Sequence, residues 1–395
     1  MGYIARSLAL LKPNHSYTIQ IVYEVLAHRG ARLGLVWIGL LGFLAVFAPF
    51  LANSHPLLLS QNGHISSPLL HYLAPIDLIL LALFFTGLTL SLMQPPLYIW
   101  LWGLISTLIF TGVLSAIFIH PPVLTIYEQY RQQEAIGTYN WVIYAPIPYS
   151  PKDYQRDRNE PGLQPPLDSP TGNHWLGTDE NGADVLSRMI YASRISLGIG
   201  FVATGIAMVI GILIGGFMGY FSGVIDIIGM RLVEIFEAVP TLFLLLTFVA
   251  FFGHNLYMLM VIIGITSWSS YARYVRAEFL RLRQQDFVQA AIACGLPLRS
   301  ILFRHMLPNG IGPILVAASF GVASAILAEA VLSFLGLGLV DDPSWGQMLN
   351  QAVKSSTFNW WMATFPGGAI FLTVFTYNLI GEALRDAIDP YLKKS

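Results

Sequence analysis

Apolar residues run in long blocks along most of this chain, and polar residues gather between them. Eight blocks reach the roughly 20 residues that a helix rising 1.5 Å per residue needs to cross a hydrocarbon core of about 30 Å. They lie near 33–52, 76–94, 98–120, 195–221, 229–253, 257–275, 310–334 and 362–384. Backbone amides in hydrocarbon must be paired within their own segment, so the pattern predicts eight helices. The sixth is interrupted by Ser267, Trp268, Ser269 and Ser270 and is kept because the charge arithmetic requires it. Ahead of the first block, Ile19, Val22, Tyr23 and Leu26 fall at helical spacing, which suits either a helix lying on the membrane surface or an unordered tail. Residues 1–32 lack the pattern of a cleaved signal peptide.

Charge orients the blocks. Arg6, Lys12, Arg29 and Arg32 oppose Glu24 alone before the first block. Between the sixth and seventh, Arg276, Arg281, Arg283, Arg299 and Arg304 oppose Glu278 and Asp286. Both stretches are expected on the cytoplasmic side. The loop from Pro121 to Ser193 carries Arg131, Lys152, Arg156, Arg158 and Arg188 against nine acids, and is expected outside. Eight crossings then place both termini in the cytoplasm, in agreement with Lys393 and Lys394. The outer loop is rich in proline and tyrosine and shows no apolar period, so a loosely folded cap is expected there.

Composition narrows the class. Of 395 residues, 55% are hydrophobic and 11% charged, with a mean hydropathy of +0.62. Soluble proteins carry about 25% charged residues, so this chain cannot coat a globule in water. A disordered chain, collagen and a cytosolic enzyme are excluded. The formal charge of -1 offers no basic face, and nucleic acid is not an expected partner. The single cysteine, Cys294, is expected to be a small packing residue. No GxxxxGK[ST] stretch occurs, so this chain has no phosphate-cradling loop of that kind.

The segment DFVQAAIACGLPLRSILFRHMLPN, residues 286–309, reads as a helical elbow. Asp286 is the expected N-cap, with Gln289 at capping-box spacing. Gly295 ends the first helix by taking a left-handed conformation. Pro297 opens a second helix, Leu298 to Met306, which reads as apolar on one face with Ile301, Leu302 and His305 in register and stops at Leu307 and Pro308. Ala290 and Ala291 are placed on the exposed part, as a knob for a soluble partner or on a connector lying along the membrane.

The spacing QAA, three residues, Gly295, then Leu307 and Pro308 resembles the EAA loop of membrane subunits of binding-protein-dependent ABC importers. HWLGTDENGADVLSRMIYASRISL (174–197), MRLVEIFEAVPTLF (230–243), ILAEAVLSFLGLGL (326–339), PSWGQML (343–349) and GEALRDAIDP (381–390) are similar to the peptide and nickel permease branch of that family. The resemblance runs from about His174 to the C-terminus. It implies an all-α polytopic membrane protein of about eight transmembrane helices, with the type I ABC importer permease fold and two extra N-terminal spans. It also implies a half-pore in the bacterial inner membrane, a second permease, cytoplasmic ATPase subunits and an external solute-binding protein, with no cofactor and no metal. Carried over residue by residue, the ATPase contact falls on Gln289, Ala290, Ala291, Gly295, Leu307 and Pro308. The outer family motif falls on Gly177, Thr178, Asp179, Gly182, Asp184 and Arg188. Two positions depart from the pattern: Gln289 stands where the family has an acid, and Ala183 where it has a base.

The expected organisation is a cytoplasmic segment 1–32, three helices in 33–120, an outer loop 121–193, a permease core 194–390 with the elbow 286–308, and a tail 391–395. Gly211, Gly215 and Gly219 form a small-residue stripe for close packing within the subunit or between permeases, with pore lining as the other reading. Glu329, inside the seventh block, is a pore or interface candidate or else a hydrogen-bonded structural acid. Asp226, Arg231, Glu234 and Glu237 read as a charge-balanced helix end, with Arg231 and Glu234 paired, or as gating residues. His55, His64, His71, His120 and His174 are scattered without the spacing of a metal site. Trp345, Trp360 and Trp361 fit an interfacial belt. Peptides are the expected cargo, with nickel or another small solute as the alternative. From other classes, a stand-alone secondary transporter needs ionisable residues in mid-membrane, and a membrane enzyme has only Asp179, Glu180 and Asp184 to draw on.

Overall fold

The computed structural model describes residues 17–93, 95–122, 125–155, 167–253, 255–339, 342–356 and 359–388. Arg6, Lys12, Arg156, Arg158, Pro390, Lys393, Lys394 and the tail 391–395 lie outside the described residues. The chain runs α1 (Tyr17–Ala27), α2 (Arg29–Leu51), β1 (Leu58–Gln61), β2 (His64–Ser66), α3 (Pro75–Met93), α4 (Leu97–Phe118), α5 (Gln129–Ala135) and β3 (Trp141–Ile143). It continues with α6 (Val185–Phe221), α7 (Gly223–Ala238), α8 (Thr241–Phe252), α9 (Leu256–Arg283), α10 (Asp286–Ala293), α11 (Leu298–Phe334), α12 (Trp345–Lys354) and α13 (Trp360–Ile388).

Helix covers every apolar block, and α1 is helical with Val22 and Tyr23 exposed. Among the described residues, six helices, α2, α3, α4, α6, α11 and α13, are long and apolar enough to cross a membrane, or seven if α7 and α8 form one broken span. That pair occupies the block expected as one continuous span, and it is bent by 82°. Pro240 is the cause. It has no N–H to donate, and its ring pushes Val239 to extended backbone, at φ −89° and ψ 123°, so the helix stops and restarts. The sixth block lies in α9, a helix of 28 residues whose Thr266, Ser267, Ser269, Ser270 and Arg273 dilute its apolar run.

The chain divides into two compact units, one of Met1–Gly39, Ile195–Asp341 and Gly367–Ser395, the other of Leu40–Arg194 and Asp342–Pro366. In the first, Ile195, Ile199 and Ala203 of α6 pack with Leu245 and Val249 of α8, Leu259, Ile262 and Ile263 of α9, and Ala325 and Leu332 of α11. Helices α6 and α9 approach through glycine. A Cβ on Gly211 would lie 2.4 Å from Tyr271 Cβ, one on Gly215 2.3 Å from the Ala272 carbonyl oxygen, and one on Gly219 2.6 Å from Phe279 Cβ. Gly264 of α9 returns the contact, with its Cβ position 2.9 Å from the Ala203 carbonyl. The start of α2 lies on α13, where Trp37 Nε1 donates to Thr373 Oγ1 at 3.1 Å.

In the second unit, described parts of the outer loop 121–193, expected to be loose, are folded, with a helix at Gln129–Ala135 and a strand at Trp141–Ile143. Strand β1 pairs antiparallel with β2 and β3, giving the order β2-β1-β3. Asn62 and Gly63, at φ 52° and 82°, make the two-residue turn between β1 and β2, a conformation that Asn-Gly adopts readily. Buried Asp153 accepts two bonds from Arg131 (2.6 and 3.2 Å), one from the Ser54 hydroxyl and one from the Gln155 amide. Arg194 joins three helices: it pairs with Asp77 of α3 at 2.5 Å and donates to the Ala45 and Val46 carbonyls of α2. Helices α3 and α4 pack on each other as a hairpin and are otherwise mostly exposed.

His55 sits among aromatic rings, stacked 3.7 Å from Tyr72 with Tyr127 and Tyr130 beside it, and burial pushes its pKa down to about 4 against the pull of Asp153. The unfolded chain therefore binds a proton near pH 6.5 that the folded chain refuses until about pH 4. Stability from this residue is complete above pH 6.5 and is lost as the pH falls through that window. The expected loss is about 3 kcal/mol for a shift of this size. Thermal unfolding in detergent between pH 8 and 4 checks it: the difference between wild type and His55→Gln should narrow with acidification, and parallel curves refute it. Gly215→Ala should cost about 1–3 kcal/mol, because the new methyl meets backbone that cannot swing aside. Gly205→Ala, in the same helix with nothing within 4 Å of the new methyl, should leave the unfolding midpoint level or slightly raised.

Candidate functional site

The elbow forms where α9 ends. Gln285, not Asp286, is the N-cap of α10, and no side chain caps it. Asp286 stands in the first turn instead, where a carboxylate is favoured by the helix dipole. The expected capping box is therefore absent. Gln289 turns back, and its Nε2 donates to the Arg283 carbonyl at 2.7 Å, satisfying an acceptor left at the end of α9. A carboxylate could not donate that bond.

Gly295, at φ +72°, closes α10 in a Schellman motif. Its N–H donates to the Ile292 carbonyl at 2.9 Å, and the Leu296 N–H to the Ala291 carbonyl at 3.2 Å. Pro297 then caps α11. The second helix does not stop at Leu307 and Pro308 as expected. It passes through a π-helical stretch, Ile301–Met306, and continues to Phe334. The Leu307 N–H reaches back five residues to the Leu302 carbonyl, so Pro308 enters as a first-turn residue whose missing N–H is not needed.

Ala291 corrects the sequence reading. It is buried with Val288, Ile301, Leu302 and Met306 against Val275, Phe279 and Leu282 of α9, so it fixes the elbow rather than decorating its surface. Ala290, Gln289, Gly295 and Pro308 are exposed, and Leu307 is half-buried. Phe287, Ile292 and Leu296 are exposed on the same short segment, an apolar surface the sequence reading passed over. Cys294, expected as a packing residue, is exposed because it occupies the C-cap beside the glycine turn.

The outer motif is a folded knot. Asp179 accepts from the Asn181 and Ala183 amides at 2.9 Å each and pairs with buried Arg188. Asp184 caps α6 by accepting from the Ser187 amide at 2.8 Å, and its other oxygen meets buried His174 Nδ1 at 2.8 Å. Gly177 and Gly182 take positive φ, 79° and 83°. A Cβ on Gly177 would lie 2.7 Å from the Trp361 indole nitrogen, which donates to the Thr178 carbonyl at 3.0 Å. Ala183, where the resemblance places a base, is fully buried. Glu180 is half-buried, and bonds from the Ser355 hydroxyl and from Ser356 hold its carboxyl below the usual range. The three acids considered for an enzyme thus each have structural partners. Trp345 and Trp361 are buried, Trp345 donating to the Met189 carbonyl at 3.3 Å, and only Trp360 of the three is exposed as a belt residue would be.

Gly211, Gly215 and Gly219 lie against α9 within the chain, as the close-packing reading expects. Glu329 is buried and accepts from the Ser333 hydroxyl at 2.6 Å. Arg231 pairs with Glu234 as expected, but Asp226 and Glu237 reach across to Arg276 and Arg273 of α9.

A model of the family described as "binding-protein-dependent transport system inner membrane component" matches residues 211–394. The oligopeptide transport system permease protein OppC of Haemophilus influenzae is 40% identical over 220 residues, 55% of this chain and 71% of that protein. The dipeptide transport system permease protein DppC of Alkalihalophilus pseudofirmus is 39% identical over 228 residues, 58% and 75%. The inner membrane ABC transporter permease protein YejE of Escherichia coli is 38% identical over 266 residues, 67% and 76%. With apolar helices long enough to span a membrane and these matches, this chain belongs to the inner membrane component family of binding-protein-dependent transport systems.

Proposed function

We propose that this chain is one permease subunit of an ATP-driven peptide importer of the type I fold, and that residues 286–308 seat in a cytoplasmic ATPase subunit. The cargo reading rests on the relatives, which are permeases of oligopeptide and dipeptide systems. A second permease completes the pore, an external binding protein delivers the peptide, and residues 194–390 form the core that these partners grip. The two helices α3 and α4 are the insertion that leaves the orientation of the core unchanged. Eight crossings, with α7 and α8 as one broken span and α9 as another, put both termini and the elbow in the cytoplasm and 121–193 outside.

The exposed apolar tip of the elbow carries the reading. Phe287, Ile292 and Leu296 surround Ala290 and the glycine turn on a segment whose inner face is already packed. Such a patch on a basic loop in water is stable when a partner covers it. The chain holds no Walker-type loop, so the energy for transport comes from the partner that the elbow meets. Nucleotide closure of the ATPases moves the elbow, and the pore changes between inward-open and outward-open states.

Ala290→Trp tests this directly, because the side chain is exposed and its replacement leaves the packed face intact. The variant should insert normally and recover at least tenfold less ATPase on purification of the complex, a loss of about 1.4 kcal/mol or more in association. Gly295→Val, which forces a β-branched residue into a left-handed turn, should do the same. Unchanged ATPase recovery and unchanged ATP-driven peptide uptake in both variants would reject the reading.

A further inference from the structure

Two faces of α9 do different work. Val275, Phe279 and Leu282 pack on the elbow's Val288, Ala291, Ile301, Leu302 and Met306. Trp268 and Ala272 pack with Val233 of α7 and Met218 of α6. Beside that second contact, Arg273 reaches Glu237 and Arg276 reaches Asp226, both on α7. One rod therefore carries the elbow on one side and the first half of the broken span on the other.

Besides these pairs, Arg283 Nη1 at the end of α9 donates to the hydroxyl of Ser222, the N-cap of α7, at 2.6 Å, and the remaining contacts of α7 are apolar and few. Of its 16 residues, Val233 alone is buried. Phe236 meets Trp268 edge-on at 5.2 Å, and Gly229 lies against the Met218 side chain. Contacts of that kind resist separation but allow a helix to roll. The Asp226–Arg276 pair does not. Arg276 Nη2 donates to Asp226 Oδ2 at 2.6 Å while its Nε donates to Oδ1, a two-point fork that fixes orientation as well as distance. Asp226 is 15% and Arg276 26% exposed, which shields the pair from water more than the Arg273–Glu237 pair, at 52% and 33%. Asp226 sits in the first turn of α7, eleven residues and three turns from Glu237 near the 82° bend, so the two pairs hold α7 at both ends.

We propose that the Asp226–Arg276 fork is a positioning joint through which α7, and with it the bent pair α7–α8, follows the elbow when the ATPases close. The proposal rests on the coupling reading above. Without the fork, α9 and the elbow move, and α7 rolls on its apolar contact instead of being carried. The pore then fails to switch although nucleotide is still hydrolysed.

The test uses the full complex, with Cys294→Ser and spin labels at Val224 of α7 and Gln284 at the end of α9, both exposed. Distances are measured without nucleotide and in the vanadate-trapped state. Wild type should give one narrow distribution with the same mean in both states. Arg276→Gln and Asp226→Asn should broaden it and shift it on trapping by about 5 Å, one helical turn. In these two variants ATP hydrolysis should persist while uptake of a labelled tripeptide mixture falls about tenfold. Exchanging the charges (Asp226→Arg with Arg276→Asp) should restore the narrow distribution, and Arg276→Lys, with charge but no fork, should lie between. The joint is refuted if the neutral variants overlay wild type, if wild type itself shifts by a turn, or if uptake and hydrolysis fall in parallel. Should the exchanged pair not fold, Arg276→Lys against Arg276→Gln decides. Failure of the coupling reading is separately visible, as a wild-type complex that retains no ATPase, and it takes the joint down with it.

Discussion

Two apolar helices in lipid gain little by exchanging lipid contacts for each other, so what joins them has to be close backbone approach or polar bonding. In this chain the approach of α6 to α9 is that interaction. Gly211, Gly215 and Gly219 let α9 lie on α6 at distances a single methyl would violate, and Gly264 opens the reciprocal site. Helix α9 needs such a seat more than its neighbours, because its serines, threonine and arginine reduce its own preference for hydrocarbon. The elbow packs on α9 and α7 is paired to α9, so the position of both follows from this contact.

Polar bonding fixes what glycine packing leaves free. Removing one member of a buried ion pair costs about 3–5 kcal/mol, whereas an exposed pair contributes about 0–1. Arg188–Asp179, both nearly buried, and Arg194–Asp77 therefore set local geometry. The exposed Arg231–Glu234 pair does not. The same magnitudes rank the two ion pairs between α7 and α9, with the shielded fork at Arg276 above the exposed pair at Arg273. The outer motif follows this rule too: Asp179, Asp184, His174 and Arg188 bond one another or nearby amides, so its chemistry is that of a buried structural knot.

The helices were legible in the sequence because the hydrocarbon requirement leaves one solution for a long apolar block. Gly295 was legible because few residues but glycine close a helix in that way. Other features depend on neighbours that periodicity does not show. Pro240 was visible, but the angle it produces is set by what α7 packs on. The π-helical stretch 301–306 absorbs Pro308, which reads locally as a stop. Trp345 and Trp361 looked like belt residues until Met189 and Gly177 came to lie against them. The sheet of the second unit had a local signal, Asn62-Gly63, hidden by strands of only three and four residues. Ala291 and Ala290 are adjacent and chemically identical, and only the packing of Val288 and Ile301 tells the buried one from the exposed one.

Gln289 shows how a departure from a family pattern can be explained by structure. An acid at this position would have to remain in water or find a cation, and it could not bond the Arg283 carbonyl that Gln289 satisfies. The amide instead ties α10 to the end of α9, across a junction of two residues, Gln284 and Gln285. The Schellman closure at Gly295 and the Ala291 cluster then fix the other end of α10. Both ends of α10 are thus tied down, one by the Gln289 bond to α9 and the other by the glycine closure and the Ala291 cluster. On the proposed coupling, shape complementarity at Ala290 and the apolar tip takes the place of a charge at position 289 as the grip for a partner, and the Gln289 amide contributes to the rigidity that makes such a grip useful.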